Sequence, residues 1–102
     1  MISKDLLLIT GKNKISIINV NSYNLITINV YNSGRIVACM LNKDMILTGD
    51  DNERIMQWKI ENDNLKLISI KEIAHYNRIY TLLKLGNGLI SSGSDDKSVK
   101  IW

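Results

Sequence analysis

The chain has 102 residues, 45% apolar and 23% charged, with 13 Lys and Arg against 10 Asp and Glu, for a formal net charge of +3. That length allows one domain at most, and that composition excludes an intrinsically disordered chain. The cations are spread rather than gathered into a stripe, which argues against a nucleic-acid surface, and the single Cys39 leaves no internal disulfide.

Proline and phenylalanine are both absent, so a core must come from Ile, Leu, Val, Met and a few Trp and Tyr. Short runs of these residues alternate with Asn, Asp, Gly and Lys clusters, the pattern of strands and tight turns. Strands are predicted at 5–10, 14–20, 25–30, 36–41, 45–49, 54–60, 65–73, 79–85, 89–93 and 98–102. No segment carries a helical apolar stripe with a capping box, so the fold class is all-β. Ile15-Ser16-Ile17-Ile18 and Ile79-Tyr80-Thr81-Leu82-Leu83 are apolar on both faces, which implies sheets covered on both sides rather than one wet face.

The apolar runs are too short for a transmembrane helix. Met1 to Thr10 lacks the basic start and sustained apolar stretch of a signal peptide. Cys39, in the run Ala38-Cys39-Met40, reads as a small buried hydrophobe. With no Asn-x-Ser/Thr sequon present, this leads us to expect a cytoplasmic protein, the nucleus remaining open.

The chain repeats itself. Trp58 set against Trp102 gives a gap-free alignment at an offset of 44 residues, with Leu41 on Leu85, Ile46 on Ile90, Gly49 on Gly93, Asp51 on Asp95 and Tyr31 on His75. A weaker third copy lies at the start. Asp5 to Gly11 mirrors Asp44 to Gly49 with one extra residue, and Ile15 to Ile18 mirrors Ile55 to Trp58 after a two-residue deletion. A period in the low forties marks a repeat architecture.

His75-Tyr76-Asn77-Arg78-Ile79, followed by Leu89-Ile90-Ser91-Ser92-Gly93-Ser94-Asp95-Asp96-Lys97-Ser98-Val99-Lys100-Ile101-Trp102, resembles one unit of the WD-repeat β-propeller family. The resemblance is specific in the last copy, fair in the middle one and weak in the first. It implies a partial β-propeller of four-stranded antiparallel blades, the strands named a to d from the central channel outwards. The chain would then supply strands b-c-d in blade 1 (about 5–30), a-b-c-d in blade 2 (about 36–73) and a-b-c in blade 3 (about 79–102). The resemblance further implies a buried structural network of His75, Ser92, Asp96 and Trp102. In the middle blade Thr48 and Trp58 hold the hydroxyl and indole positions, while Tyr31 and Asn52 replace the histidine and aspartate. In the first blade only Thr10 matches, with Ile18 at the tryptophan position.

A histidine, a serine and an aspartate together invite a catalytic-triad reading, but a working triad needs an exposed nucleophile and a cleft. The same three residues fall on the family's structural network, so no catalytic residue and no enzyme activity is expected. One His and one Cys 36 residues apart supply no metal site. Gly86-Asn87-Gly88 and Gly93-Ser94 match no phosphate loop, Asp50-Asp51 and Asp95-Asp96 lack calcium-loop spacing, and no cofactor is implied.

What remains is binding. The resemblance implies a non-catalytic protein–protein interaction scaffold, with Arg35, Arg78 and Tyr80 on the loop rim as partner-binding candidates, residue types common among interface anchors. Alternatives are a substrate-recognition module of a larger enzyme assembly, such as a ubiquitin ligase receptor, and a chromatin or nucleic-acid-associated propeller. Because propellers have four to eight blades, we expect a fragment of a longer propeller, or a chain whose open blade faces are covered by self-association.

Overall fold

The computed structural model describes residues 6–62 and 64–102. Asp5, expected in the first strand, Met1 to Lys4 before it and Asp63 in a turn lie outside the described residues.

Ten strands form: β1 (Leu6–Gly11), β2 (Lys14–Asn19), β3 (Leu25–Asn29), β4 (Ile36–Asn42), β5 (Met45–Asp50), β6 (Ile55–Glu61), β7 (Asn64–Lys71), β8 (Ile79–Lys84), β9 (Ile90–Ser94) and β10 (Val99–Ile101). Each predicted strand has its counterpart, and no helix occurs among the described residues. The strands make three antiparallel meanders, which we call sheet 1 (β1-β2-β3), sheet 2 (β4-β5-β6-β7) and sheet 3 (β8-β9-β10). The fold is all-β, in a three–four–three arrangement of strands.

Turn chemistry sets these hairpins. Asn13, Glu53 and Lys97 each take a left-handed backbone, at φ 59°, 69° and 69°, at the same point of the β1–β2, β5–β6 and β9–β10 turns. Asp50 N–H bonds the Arg54 carbonyl and Ser94 N–H bonds the Ser98 carbonyl, both at 3.2 Å, so the second and third turns close alike. The strand following each turn then runs back in register with the strand before it.

Sheet 2 is covered on both faces, whereas β2 and β8, the strands expected to be covered on both sides, lie in sheets 1 and 3, where Leu83 is 59% exposed. Ile36, Ile46, Met56 and Trp58 pack with Leu6, Ile15 and Ile17 of sheet 1. Val37, Cys39, Leu41, Leu47 and Ile55, from the alternate positions, pack with Ile79, Leu82 and Ile90 of sheet 3. Gly49 permits the second contact: a Cβ there would stand 2.7 Å from Ile79 Cγ2.

The register of sheet 1 corrects one expectation. Ile18 pairs with Leu7 as Trp58 pairs with Ile46, so Ile9, not Thr10, occupies the position of Thr48. Thr10 corresponds to Gly49 and pairs with Ile15 as Gly49 pairs with Ile55. The third copy therefore differs by a single deletion inside the β1–β2 turn. Two equivalent bonds fix that alignment: Val30 N–H to the Asn13 carbonyl at 2.8 Å and Ala74 N–H to the Glu53 carbonyl at 2.9 Å. A one-residue slip moves every side chain to the other face, and sheet 1 is left with no hydroxyl–indole pair.

Candidate functional site

The most elaborate polar cluster joins the β7–β8 loop to the β9–β10 turn. His75 and Ser92 are buried. Trp102 Nε1–H donates to Ser92 Oγ at 2.9 Å, and Ser92 Oγ lies 2.7 Å from His75 Nε2. His75 Nδ1 faces Asp96 Oδ2 at 2.9 Å and Ser98 Oγ at 3.0 Å. A carboxylate only accepts, which places the imidazole proton on Nδ1 and lets the Ser92 hydroxyl donate to Nε2. The proton order then runs without a break from indole through hydroxyl and imidazole to carboxylate.

Asp96 is held from several sides. The Ser98 hydroxyl and N–H both donate to Oδ1, while Tyr76 N–H donates to Oδ2 at 3.0 Å. The Ser98 hydroxyl foremost, then the Tyr76 N–H and His75, hold its carboxyl well below the ordinary carboxylate range against the opposing pull of desolvation. Ser94 supports the turn, donating to the Asn77 carbonyl at 3.1 Å and accepting Asp96 N–H at 3.1 Å.

The structure thus brings His75, Ser92, Asp96 and Trp102 together. The expectation that all four are buried holds for His75 and Ser92, but Asp96 is only partly buried and Trp102 is 41% exposed, while Trp58 is 5% exposed. Trp58 is flanked by Leu67 of β7, whereas no strand lies on the outer side of β10 among the described residues. A cavity of about 230 Å³, lined by Leu47, Ile55, Ile70 and Trp102 among others, marks that gap.

In sheet 2 the expected pair is present, Trp58 Nε1–H donating to Thr48 Oγ1 at 2.9 Å. Tyr31 and Asn52 take no part in it: both side chains are exposed. A pair the sequence reading passed over does the linking instead. Buried Asp50 accepts from Arg54 Nε at 2.9 Å and from the N–H groups of Asn52 and Arg54, and Arg54 Nη2 donates to the Tyr31 carbonyl at 2.9 Å. Burial pushes the Asp50 carboxyl up, outweighing the pull of Arg54 and the two N–H groups. The overlooked signal was positional, since Asp50 and Arg54 stand 44 residues before Ser94 and Ser98.

The rim candidates separate. Arg35 is exposed and lines a cleft of about 510 Å³ with Thr10, Gly11, Lys12, Ile36 and Asp51, between sheets 1 and 2. Asp51 shapes it by accepting Arg35 N–H at 3.0 Å. Arg78, paired through Nε with Asp95, and the half-exposed Tyr80 lie on the equivalent side of sheet 3 and do not line that cleft. Lys12 was not singled out from the sequence, where it reads as an ordinary turn residue. No group of three or more His, Cys, Asp or Glu suited to a metal ion occurs among the described residues. No helix there is long and apolar enough to cross a membrane.

No family model and no curated protein matches the chain. Among solved structures it is similar to the computationally designed Ika8 protein, at 16% identity and a TM-score of 0.78 over 98% of this chain and 30% of that one. It is equally similar to the computationally designed Ika4 protein, at 16% identity and a TM-score of 0.78 over 98% of this chain and 61% of that one. The likeness is one of fold, and the chain spans less than two thirds of either neighbour.

Proposed function

We propose that the chain is a segment of a WD-repeat propeller and acts as a non-catalytic protein-interaction scaffold, its partner engaging the turn-bearing end at the Lys12–Arg35 cleft. The observation that carries this reading is the cleft itself. Lys12, Arg35 and Asp51 meet there on turns anchored to two packed sheets, a rigid and charged concavity of the kind partners dock into. Arg78 and Tyr80 extend the surface on the next repeat.

The polar cluster around His75 supports a structural role. Ser92 is buried and its hydroxyl is shared between Trp102 and His75, so it offers no nucleophile. A scaffold of this kind requires loops held still, and the cluster ties the β7–β8 loop to the β9–β10 turn.

The test is capture from the source cell with three immobilised chains: wild type, Lys12→Glu/Arg35→Glu, and Lys43→Glu, which alters a turn between β4 and β5. A protein retained by the wild type and by Lys43→Glu but lost from the double variant is the expected result. Capture indifferent to the Lys12 and Arg35 charges would refute the assignment.

A further inference from the structure

Both end sheets leave a face open, and the register shows what each face copies. In sheet 3, Leu83, Ser91 and Ile101 lie side by side across the strands, and Thr81, Gly93 and Val99 form the next row. Counted back 44 residues, these are Cys39, Leu47 and Gln57, then Val37, Gly49 and Ile55. Those two rows belong to the face of sheet 2 that sheet 3 covers. Among the described residues nothing covers the copy: Val99 is 72% exposed, Leu83 59% and Ile101 57%.

Sheet 1 presents the opposite half. Its outer rows, Leu7-Ile18-Leu25 and Ile9-Ser16-Thr27, stand where sheet 2 has Ile46-Trp58-Leu67 and Thr48-Met56-Ile70. Those residues include Ile46, Met56 and Trp58, which sheet 1 helps to bury. Leu25 and Ile9 are exposed on the copy.

Charge supports the same conclusion. Although 23% of the chain is charged, not one of the residues in these four rows is, and on sheet 1 the charge of Lys14 stands at the border of the face, in the row Gly11-Lys14-Asn29. Solvated faces normally carry charges, and interface centres are depleted of them. We propose that the two faces bind each other between copies, the outer face of sheet 3 in one chain packing on the outer face of sheet 1 in the next. One chain holds both halves of a sheet-on-sheet contact it already makes twice internally. The contact is head-to-tail, so it closes a ring or extends a stack according to the rotation per copy. It is independent of the rim reading, because Lys12 and Arg35 belong to neither face.

Sedimentation velocity over a concentration series tests it, with Val99→Lys/Ile101→Lys blocking one face and Ile9→Lys/Leu25→Lys blocking the other. Wild type is expected to gain mass with concentration, and each variant alone to weaken association roughly tenfold or more. Mixed together, the two variants should form a one-to-one dimer and nothing larger, since only one complementary pair of faces survives. Blue-shifted emission from the buried Trp58 reports that each variant is folded; where a lysine variant loses it, Ile101→Thr and Ile9→Thr carry the same test. A wild type that stays monomeric throughout, assembly untouched by either block, or folded variants that do not pair would each overturn the proposal.

Discussion

Sheets 2 and 3 perform one mechanical task with two chemistries. Each must fasten its tight turn to the loop that precedes its first strand, and each carries an indole bonded to a hydroxyl one strand away. Sheet 3 fastens the turn with a hydrogen-bonded relay, Ser92 to His75 to the Asp96 carboxylate. Sheet 2 uses the Asp50–Arg54 ion pair, whose guanidinium reaches the carbonyl of Tyr31, the residue aligned with His75. What the repeat conserves within this chain is therefore the connection and not the side chains that make it. The two sheets also differ in completeness, four strands against three, and the exposure of their tryptophans follows from that.

The largest break in this comparison should come from Trp58→Ala. The indole fills the contact between sheets 1 and 2, and its removal is expected to cost about 3–5 kcal/mol in denaturant unfolding. Arg54→Ala should rank close behind, at about 3 kcal/mol, because it strands the buried Asp50 carboxylate without its counter-charge. Trp102→Ala should cost only about 1–2 kcal/mol, since much of the ring already meets water. A Trp102 loss equal to that of Trp58 would show that the two sheets are equally complete.

Acid should separate the sheets by a smaller margin. The Asp96 carboxyl is depressed, so its contribution is complete above the ordinary value of 3.8 and is lost as pH falls through the lower folded value. The Asp50 carboxyl is raised from the same ordinary value, so ionising it costs stability at higher pH, a cost relieved as pH falls through the raised value. Hydrogen exchange should show protection at Tyr76 and Ser98 intact down to the ordinary carboxylate value of 3.8 and failing only well below it, while that at Asn52 and Arg54 persists. Simultaneous loss at all four amides would contradict the distinction.

The strands were legible because period-two apolar runs and Asn, Asp and Gly turns are local signals, and local hydrogen bonding follows them. The association of His75, Ser92, Asp96 and Trp102 was legible only through the resemblance of that stretch to a WD-repeat unit, because the 44-residue offset sets Tyr31 and Asn52 against His75 and Asp96. The register of sheet 1 was not. Gly11 invites alignment with Gly49, and an extra residue before it balances a longer deletion after it; only strand pairing shows that one deletion suffices and that Ile9 takes the hydroxyl position. The Asp50–Arg54 bond was hidden for another reason, since nothing local says that two turn-flanking residues will be buried together. Burial of a side chain also depends on strands elsewhere, so the motif around Trp102 could not reveal the missing cover.

The central claim is that one repeat unit is finished in sheet 2 and open in sheet 3. Acrylamide quenching of two single-tryptophan proteins tests it, Trp102→Phe reporting on Trp58 and Trp58→Phe on Trp102, at dilutions where self-association is absent. The account predicts blue-shifted, weakly quenched emission from Trp58 and red-shifted, readily quenched emission from Trp102. Equal shielding of the two indoles in folded protein would contradict it.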